Sequence, residues 1–266
     1  MSFDKARESK FGVWSVTRFY IPLLLQGFSQ SLAYPLVAGI VTHGKFGVDA
    51  LTAFSQGLMV MFMIGAIGGG LITTGLVFAK TWTGYVAFKR LNTLMMAALL
   101  AVQCVVAMPP FSGWIFSGLF NLPDELAHIA SRTLLFSTVM NGLFFLRNVP
   151  MVVLFNNLDS AKANYATLIR LAVTFALALF FPKFGLIGPW WGLGALTFGV
   201  GVELAATWLF ARPYVALLPN RPKTKDAEAI PNIPRLAFEQ FRFTLPLSLG
   251  GFLLMLSPIA IAAFVG

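Results

Sequence analysis

The sequence has few charged residues and a single cysteine, and each shortage excludes a class of protein. Only 11% of its 266 residues are charged, less than half of the roughly 25% that soluble domains carry. A chain with so few charges and so much apolar sequence is neither a soluble enzyme nor an intrinsically disordered protein. The one cysteine, Cys104, lies in an apolar run. No disulfide framework can therefore form within the chain.

Clusters of metal-binding or catalytic residues are also missing. The two histidines, His43 and His128, are far apart and match no spacing of zinc ligands. Asp49, Asp124 and Asp159 are scattered, and the chain has no DDxxD-like run with which a membrane prenyltransferase would hold Mg²⁺. We therefore predict no enzymatic activity, no metal and no cofactor. We also predict no nucleic acid partner, because the placement of the charges accounts for the net charge of +9 in another way.

The chain is instead rich in apolar residues, which make up 58% of it without counting glycine, and its mean hydropathy is +0.79. A helix needs about 20 apolar residues to cross the ~30 Å hydrocarbon core of a bilayer. Backbone N–H and C=O groups in lipid must form hydrogen bonds within the protein, which favours helices over open strands. We predict an all-α integral membrane protein with seven spans, at residues 19–42, 50–79, 91–115, 126–155, 164–182, 186–211 and 238–265.

The distribution of lysine and arginine predicts the orientation of these spans. With the N-terminus in the cytoplasm, 15 of the 19 basic residues lie on the cytoplasmic side, and only Lys45 and Lys183 lie in loops on the outer side. The other two, Arg132 and Arg147, lie within the fourth span. The positive-inside rule therefore places the N-terminus on the cytoplasmic side. We expect the protein in a cell's inner (plasma) membrane. The first span is too long for the apolar core of a signal peptide, and we interpret it as a retained helix. The 15 residues are Lys5, Arg7, Lys10, Arg18, Lys80, Lys89, Arg90, Lys162, Arg170, Arg212, Arg221, Lys223, Lys225, Arg235 and Arg242.

The first and last spans resemble each other. Residues 18–41 and 242–265 are identical at ten of 24 aligned positions, and both begin with R-F-x-x-P. Because the two copies are offset by six spans, an even number, both enter the membrane from the same side, as in a parallel repeat. We predict a cytoplasmic segment (1–17), a six-helix lobe (18–211), a cytoplasmic linker (212–237) and the first helix of a second lobe (238–266). The rest of that lobe is expected in a longer protein, or less simply in another chain.

Three stretches resemble the opening of multidrug and toxic compound extrusion (MATE) proteins: FYIPLLLQGFSQSL, DALTAFSQGLMVMFMIG and TTGLVFAK. The wider group is the MOP flippase superfamily, and the progressive-ankylosis-type branch is the most similar, through Arg147, NLDSAK (157–162), Arg170, FPKFGLIG (181–188) and Glu203. This resemblance implies a twelve-helix, two-lobed secondary transporter. It would export a small organic anion or a drug-like compound by rocking its lobes, driven by H⁺ or Na⁺. Many relatives carry an aspartate in the first helix for ion coupling, and this sequence has none there.

Ionisable residues inside spans are candidates for the solute or ion pathway, because burying them in lipid costs at least ~2.5–3.5 kcal/mol. Arg147 in the fourth span is the best candidate for attracting an anion, with snorkelling or a structural ion pair as the alternatives. Glu203, the only carboxylate deep in a span, is either a proton-coupling group or a partner of Arg170 or Arg147. Asn141 shares a face with Asn148, which we expect to point into the protein.

A polar stripe on the first span provides three further candidates. Gln26, Gln30 and Tyr34 follow each other at intervals of four residues, so they share one helix face. Pro35 removes a backbone hydrogen bond beside this stripe and is expected to kink the helix. The stripe would either line a cavity or hydrogen-bond to neighbouring helices.

Two other functions remain open from the sequence. The first is a flippase for lipid-linked saccharides, which more basic residues around the central cavity would favour; only Arg132 and Arg147 qualify. The second is a structural membrane subunit, which would lack a wide polar cavity. The predicted partners are the lipid bilayer, a small-molecule or ion substrate, and a second lobe.

Overall fold

The computed structural model describes residues 13–220 and 233–265, and every regular element in these ranges is helical. A short helical turn at Phe111–Gly113 and a π-helix at Trp114–Leu119 connect the fourth and fifth long helices. Part of the linker predicted at 212–237 lies outside the described residues. The long helices are α1 (Val13–Thr42), α2 (Gly47–Ala66), α3 (Gly70–Phe78), α4 (Trp82–Ala107), α5 (Asp124–Asn156), α6 (Ser160–Lys183), α7 (Pro189–Ala216) and α8 (Ile233–Val265).

Five stretches of the described chain are long and apolar enough to cross a membrane. They are α4, α5, α6, α7 and the combined stretch of α2 and α3 (Gly47–Phe78). The predicted class, an all-α multi-pass membrane protein, is confirmed. The count of six spans plus one stays a prediction, as do the orientation and the division into lobe, linker and second lobe.

The bundle has large apolar side chains on its surface and several polar side chains within its mostly apolar core, as expected for a protein whose solvent is lipid. Large apolar side chains are exposed on its surface, among them Trp114 and Leu254, while Gln103 is fully buried. Gln103 Nε2 donates to the Leu134 carbonyl oxygen at 2.8 Å, and Asn141 Nδ2 donates to Gln103 Oε1 at 2.7 Å. The polar face of the fourth span therefore points into the protein.

The second predicted span is not one continuous helix. α2 ends at Ala66 and α3 begins at Gly70, and the residues between them form tight turns. Gly68 N donates to the Gly65 carbonyl oxygen at 2.9 Å, and Gly69 N donates to the Ala66 carbonyl oxygen at 2.8 Å. The glycine run makes this break inexpensive, because glycine loses the most backbone freedom in a helix.

The glycines around this break differ in their packing. A Cβ on Gly65 would lie 3.1 Å from Asn141 Oδ1, whereas a Cβ on Gly69 would meet only the backbone of Ala66. Gly68 is the glycine that packs against the Phe145 ring.

The third predicted span, 91–115, is displaced from the observed helix. α4 begins nine residues earlier, at Trp82, and its first turn is capped by Thr81 Oγ1, which accepts from Gly84 N at 3.3 Å. It ends at Ala107 because Pro109 and Pro110 have no amide hydrogens to continue the ladder. The exposed side chains of Lys89 and Arg90 therefore lie on α4 rather than in a loop.

Helix α8 packs on α2, α3 and α4. Thr74 Oγ1 of α3 and Thr244 Oγ1 of α8 are hydrogen-bonded at 2.7 Å, and the Phe78 and Phe243 rings meet edge to face at 5.4 Å. A Cβ on Gly70 would lie 2.8 Å from the Thr244 carbonyl oxygen. Small residues thus allow close contact between α3 and the first half of α8.

The close packing of α2 on α5 supports a first prediction. A Cβ on Gly57 would lie 2.6 Å from the Ala130 carbonyl oxygen and 3.0 Å from Thr133 Cβ. We expect Gly57→Val to destabilise the protein by about 1–3 kcal/mol or more, because a backbone carbonyl cannot move aside. The measurement is thermal unfolding in detergent. Gly194→Val is the matched control, since Gly194 is an exposed helical glycine with open space around it. An equal loss in both variants would contradict the steric explanation.

Candidate functional site

The Glu203 carboxylate is the centre of a buried cluster of charged residues and is completely inaccessible to solvent. Its Oε2 atom accepts from Arg147 Nη1 at 2.7 Å and from Arg170 Nη1 at 3.2 Å. Its Oε1 atom accepts from the Thr167 hydroxyl at 2.6 Å. The cluster joins α5, α6 and α7.

Close packing of α6 on α7 brings these side chains together. Gly199 lies one turn before Glu203 on α7, and a Cβ there would clash with Thr174 and lie 3.2 Å from Arg170 Cγ. The missing side chain lets α6 approach α7 closely enough for Arg170 to reach the carboxylate. Thr167 lies three residues before Arg170 on α6, on the same helix face.

The cluster has more positive charge than negative charge. Two guanidinium groups share one carboxylate, so its formal charge is +1. Arg147 and Arg170 are 7% and 3% exposed, and their Nε atoms, together with Arg170 Nη2, donate to no group in the described structure. Buried charges and buried donors are costly when they lack partners. The cluster therefore has N–H donors left for hydrogen bonds to a further negatively charged group.

A cavity of about 770 Å³ lies beside this cluster. Arg147 and Arg170 form part of its wall, whereas Glu203 lies behind them and does not line it. Most of the lining residues belong to α2 and α5, and one, Met255, belongs to α8. The remaining polar lining residues are Tyr34, Ser55, Asn141 and Asn148.

Aromatic rings form a large part of the apolar wall. Phe62 contacts Tyr34 edge to face at 5.2 Å and lies 6.5 Å from Phe144. The Arg147 guanidinium lies over the Phe144 ring at 5.1 Å, a cation–π contact. The pocket thus combines an apolar aromatic surface with a few polar groups, as solute-binding pockets generally do.

Five of the seven predicted site residues converge on this cavity region. Arg147, Arg170, Tyr34 and Asn141 line the cavity, and Glu203 holds the two arginines from behind. The side chains of the other two, Gln26 and Gln30, lie outside the described residues. The part that each residue has in transport stays a prediction.

Arg170 and Arg132 differ in their burial. Arg170 is buried in the cluster, so it is not a charge at the membrane surface. Without it the predicted cytoplasmic side still holds 14 basic residues, so the orientation stays predicted. Arg132 is exposed and lines a separate cavity of about 550 Å³ together with Lys45, Glu125 and His128. Arg132 does not line the central cavity.

Sequence reasoning missed Thr167 and the partner of Asn148. The Thr167 hydroxyl completes the coordination of Glu203, and its position one turn before Arg170 was the available signal. Asn148 Nδ2 donates to Asn92 Oδ1 at 3.3 Å, which ties α5 to α4. No pattern within either helix predicts this contact.

A second polar cluster joins the α5–α6 turn to the end of α7. Asp159 Oδ2 accepts from Tyr214 Oη at 2.7 Å and lies 2.7 Å from Lys162 Nζ. Although burial opposes it, hydrogen bonds from Lys162 and Tyr214 hold the pKa of Asp159 below its usual value. Asp159 is therefore ionised near neutral pH and anchors this end of the bundle.

The helices and the charged cavity define a class: a polytopic α-helical membrane protein with a central pocket. Among solved structures, the chain is similar to a MOP superfamily transporter from Pyrococcus furiosus, with a TM-score of 0.58 and 18% identity. That transporter is described as having a binding pocket whose reverse polarity suggests a different function. The chain therefore shares the fold of the matched part of that transporter.

The likeness covers 91% of this chain and 52% of the solved one, so the chain spans about half the length of that transporter. No protein-family model matches the sequence. No curated protein matches it either.

Proposed function

We propose that this chain supplies one lobe, and the first helix of the other, of a MOP superfamily secondary transporter. One observation carries the proposal: a cavity of about 770 Å³ that is lined mainly by α2 and α5, includes Met255 of α8, and has two buried arginines in its wall. The solved MOP transporter is about twice as long as the region matched here, in agreement with the sequence repeat between residues 18–41 and 242–265. A cavity between two lobes is where alternating access requires the solute to bind.

The direction and energetics of transport complete the proposal. The protein exports its solute across the inner (plasma) membrane with its N-terminus in the cytoplasm, coupled to H⁺ or Na⁺. The solute is a small organic anion or a drug-like compound. The resemblance to MATE proteins and to the progressive-ankylosis-type branch supports this assignment.

One specific observation favours a second candidate from the same superfamily. Arg147 and Arg170 both line the cavity and both donate to the Glu203 carboxylate, so two basic groups lie side by side in its wall. Basic groups of this kind also suit the phosphates of lipid-linked saccharides. A flippase for such lipids is therefore the alternative function.

Transport by the complete protein in proteoliposomes tests the proposal. A panel of organic anions and drug-like cations is tested under imposed H⁺ and Na⁺ gradients. We expect Arg147→Ala and Glu203→Gln each to lower the transport rate at least tenfold, because the first removes a charge from the cavity wall and the second removes the counter-ion behind it. Arg132→Ala is the matched control, since Arg132 is exposed on the same helix. Unchanged transport in both site variants would refute the assignment, and a lack of transport of any solute would refute the function.

A further inference from the structure

We infer that the guanidinium groups of Arg147 and Arg170 form a binding subsite for an oxyanion, a phosphate or a carboxylate. The inference names the chemical class of the solute in the proposed function, and the relevance of the subsite to transport rests on that function. Glu203 acts as the resident carboxylate that positions both arginines. The incoming oxyanion occupies the cavity side of the same two guanidinium groups.

Unused hydrogen-bond donors are the first argument. A guanidinium has five N–H donors in a rigid fork that matches the oxygens of carboxylates and phosphates. Glu203 accepts from one Nη1 atom of each arginine. The Nε atoms of both arginines and Arg170 Nη2 remain without partners in the described structure, and both side chains are more than nine-tenths buried. These three atoms have almost no accessible surface, so an oxyanion reaches them when the two side chains shift toward the cavity.

The charge around the cavity is the second argument. The charged groups facing the cluster are Arg147 from α5, Arg170 from α6 and Glu203 from α7, while Tyr34 from α1 lies within their electrostatic range. Their formal charges add to +1, and a buried charge needs compensation. A monoanion in the cavity neutralises the cluster, whereas an organic cation raises its charge to +2.

The position of Glu203 is the third argument. Glu203 is wholly inaccessible and does not line the cavity, whereas both arginines do. A solute in the cavity therefore meets the positive side of the cluster. Asn141, Asn148 and Ser55 also line the cavity and supply neutral polar groups. The aromatic wall at Phe62 and Phe144 accommodates the apolar part of an organic anion.

Equilibrium binding to the full chain in neutral detergent micelles tests the inference without measuring transport. The probe is inorganic phosphate, titrated by calorimetry, with sodium chloride of equal ionic strength as the reference. We expect saturable binding of phosphate and at least tenfold weaker binding by Arg147→Gln, because charge-assisted hydrogen bonds are lost. Arg132→Gln, the matched control, is expected to bind as the original protein does.

Glu203→Gln separates an anion subsite from a merely structural ion-pair cluster. The amide keeps the size of the side chain and its acceptor for Thr167, but it frees both arginines of their negative partner. We expect phosphate to bind at least about fivefold more tightly to this variant, and to raise its thermal unfolding midpoint more than that of the original protein. Weaker or unchanged phosphate binding by a folded Glu203→Gln variant would overturn the inference.

Further arms of the experiment identify the source of the oxyanion. Displacement of phosphate by phosphatidic acid added to the micelles would assign the subsite to a lipid headgroup, as the flippase alternative requires. Binding that phosphatidic acid does not displace would assign it to a soluble solute. Equal effects of chloride and phosphate, or binding of tetraphenylphosphonium in place of phosphate, would overturn the inference and leave the proposed transport function intact. Phosphate binding by a protein that transports no solute would overturn the proposed function instead.

Discussion

A disulfide between positions 74 and 244 is expected to abolish transport. The Thr74 and Thr244 hydroxyl oxygens are only 2.7 Å apart, between α3 and α8. Cysteines at both positions therefore bring their sulfurs within reach of a bond. If α8 belongs to the second lobe, this bond holds the two lobes together at one end of the cavity. Alternating access requires the lobes to separate there, so oxidised protein should transport at less than a tenth of the reduced rate.

The measurement is proteoliposome transport before and after oxidation, with Thr74→Cys and Thr244→Cys introduced together in a Cys104→Ser background. A reducing agent should restore the rate. The matched control is Thr138→Cys with the native Cys104, because Cys104 Sγ and Thr138 Oγ1 lie 3.9 Å apart between α4 and α5. That disulfide lies within one lobe and should leave transport unaffected. Full transport by the oxidised 74–244 protein would show that α3 and α8 need not separate.

Removal of the Glu203 carboxylate is expected to cause the largest loss of stability. Glu203→Ala leaves Arg147 and Arg170 side by side, buried and without a counter-ion. Breaking a buried ion pair by removing one partner costs about 3–5 kcal/mol, because an uncompensated charge remains. We expect thermal unfolding in detergent to shift accordingly. The loss should exceed that of Glu203→Gln, which retains a polar group for Thr167 and the arginines.

The matched control is Glu239→Ala, which removes a carboxylate from an exposed pair. Glu239 Oε1 lies 3.3 Å from Arg235 Nε, and both side chains are largely exposed. Such surface pairs contribute about 0–1 kcal/mol, so little change is expected. If Glu203→Ala were as stable as Glu239→Ala, the buried cluster would not need its carboxylate, and Arg147 and Arg170 would have another counter-ion.

Local and compositional features of the fold could be predicted from the sequence. Long apolar runs predict helices that cross a membrane, because the thickness of the bilayer sets the length of a spanning helix. The backbone groups of such a segment must also form their hydrogen bonds within the protein. The helix boundaries were predicted less well. The break at residues 67–69 and the end of α4 before Pro109 depend on the local backbone preferences of glycine and proline, which a hydropathy average does not detect.

The sequence also identified most members of the candidate site but not their arrangement. Arg147, Glu203 and Arg170 are conspicuous because charge is costly in a span, and their pairing was already one of the alternatives considered. The structure decides between the alternatives: Arg170 is buried against Glu203, and Arg132 is exposed beside a different cavity.

The sequence by itself determined that this chain is a helical membrane protein, and which of its residues are too polar to face lipid. Composition and hydrophobic length suffice for both, because they act through the solvent that surrounds each helix. Only the tertiary structure decided that two arginines share one carboxylate and that the arginines, rather than the glutamate, face the cavity. That outcome depends on the distances between α5, α6 and α7. Small residues such as Gly199 determine these distances, because they let neighbouring helices approach closely.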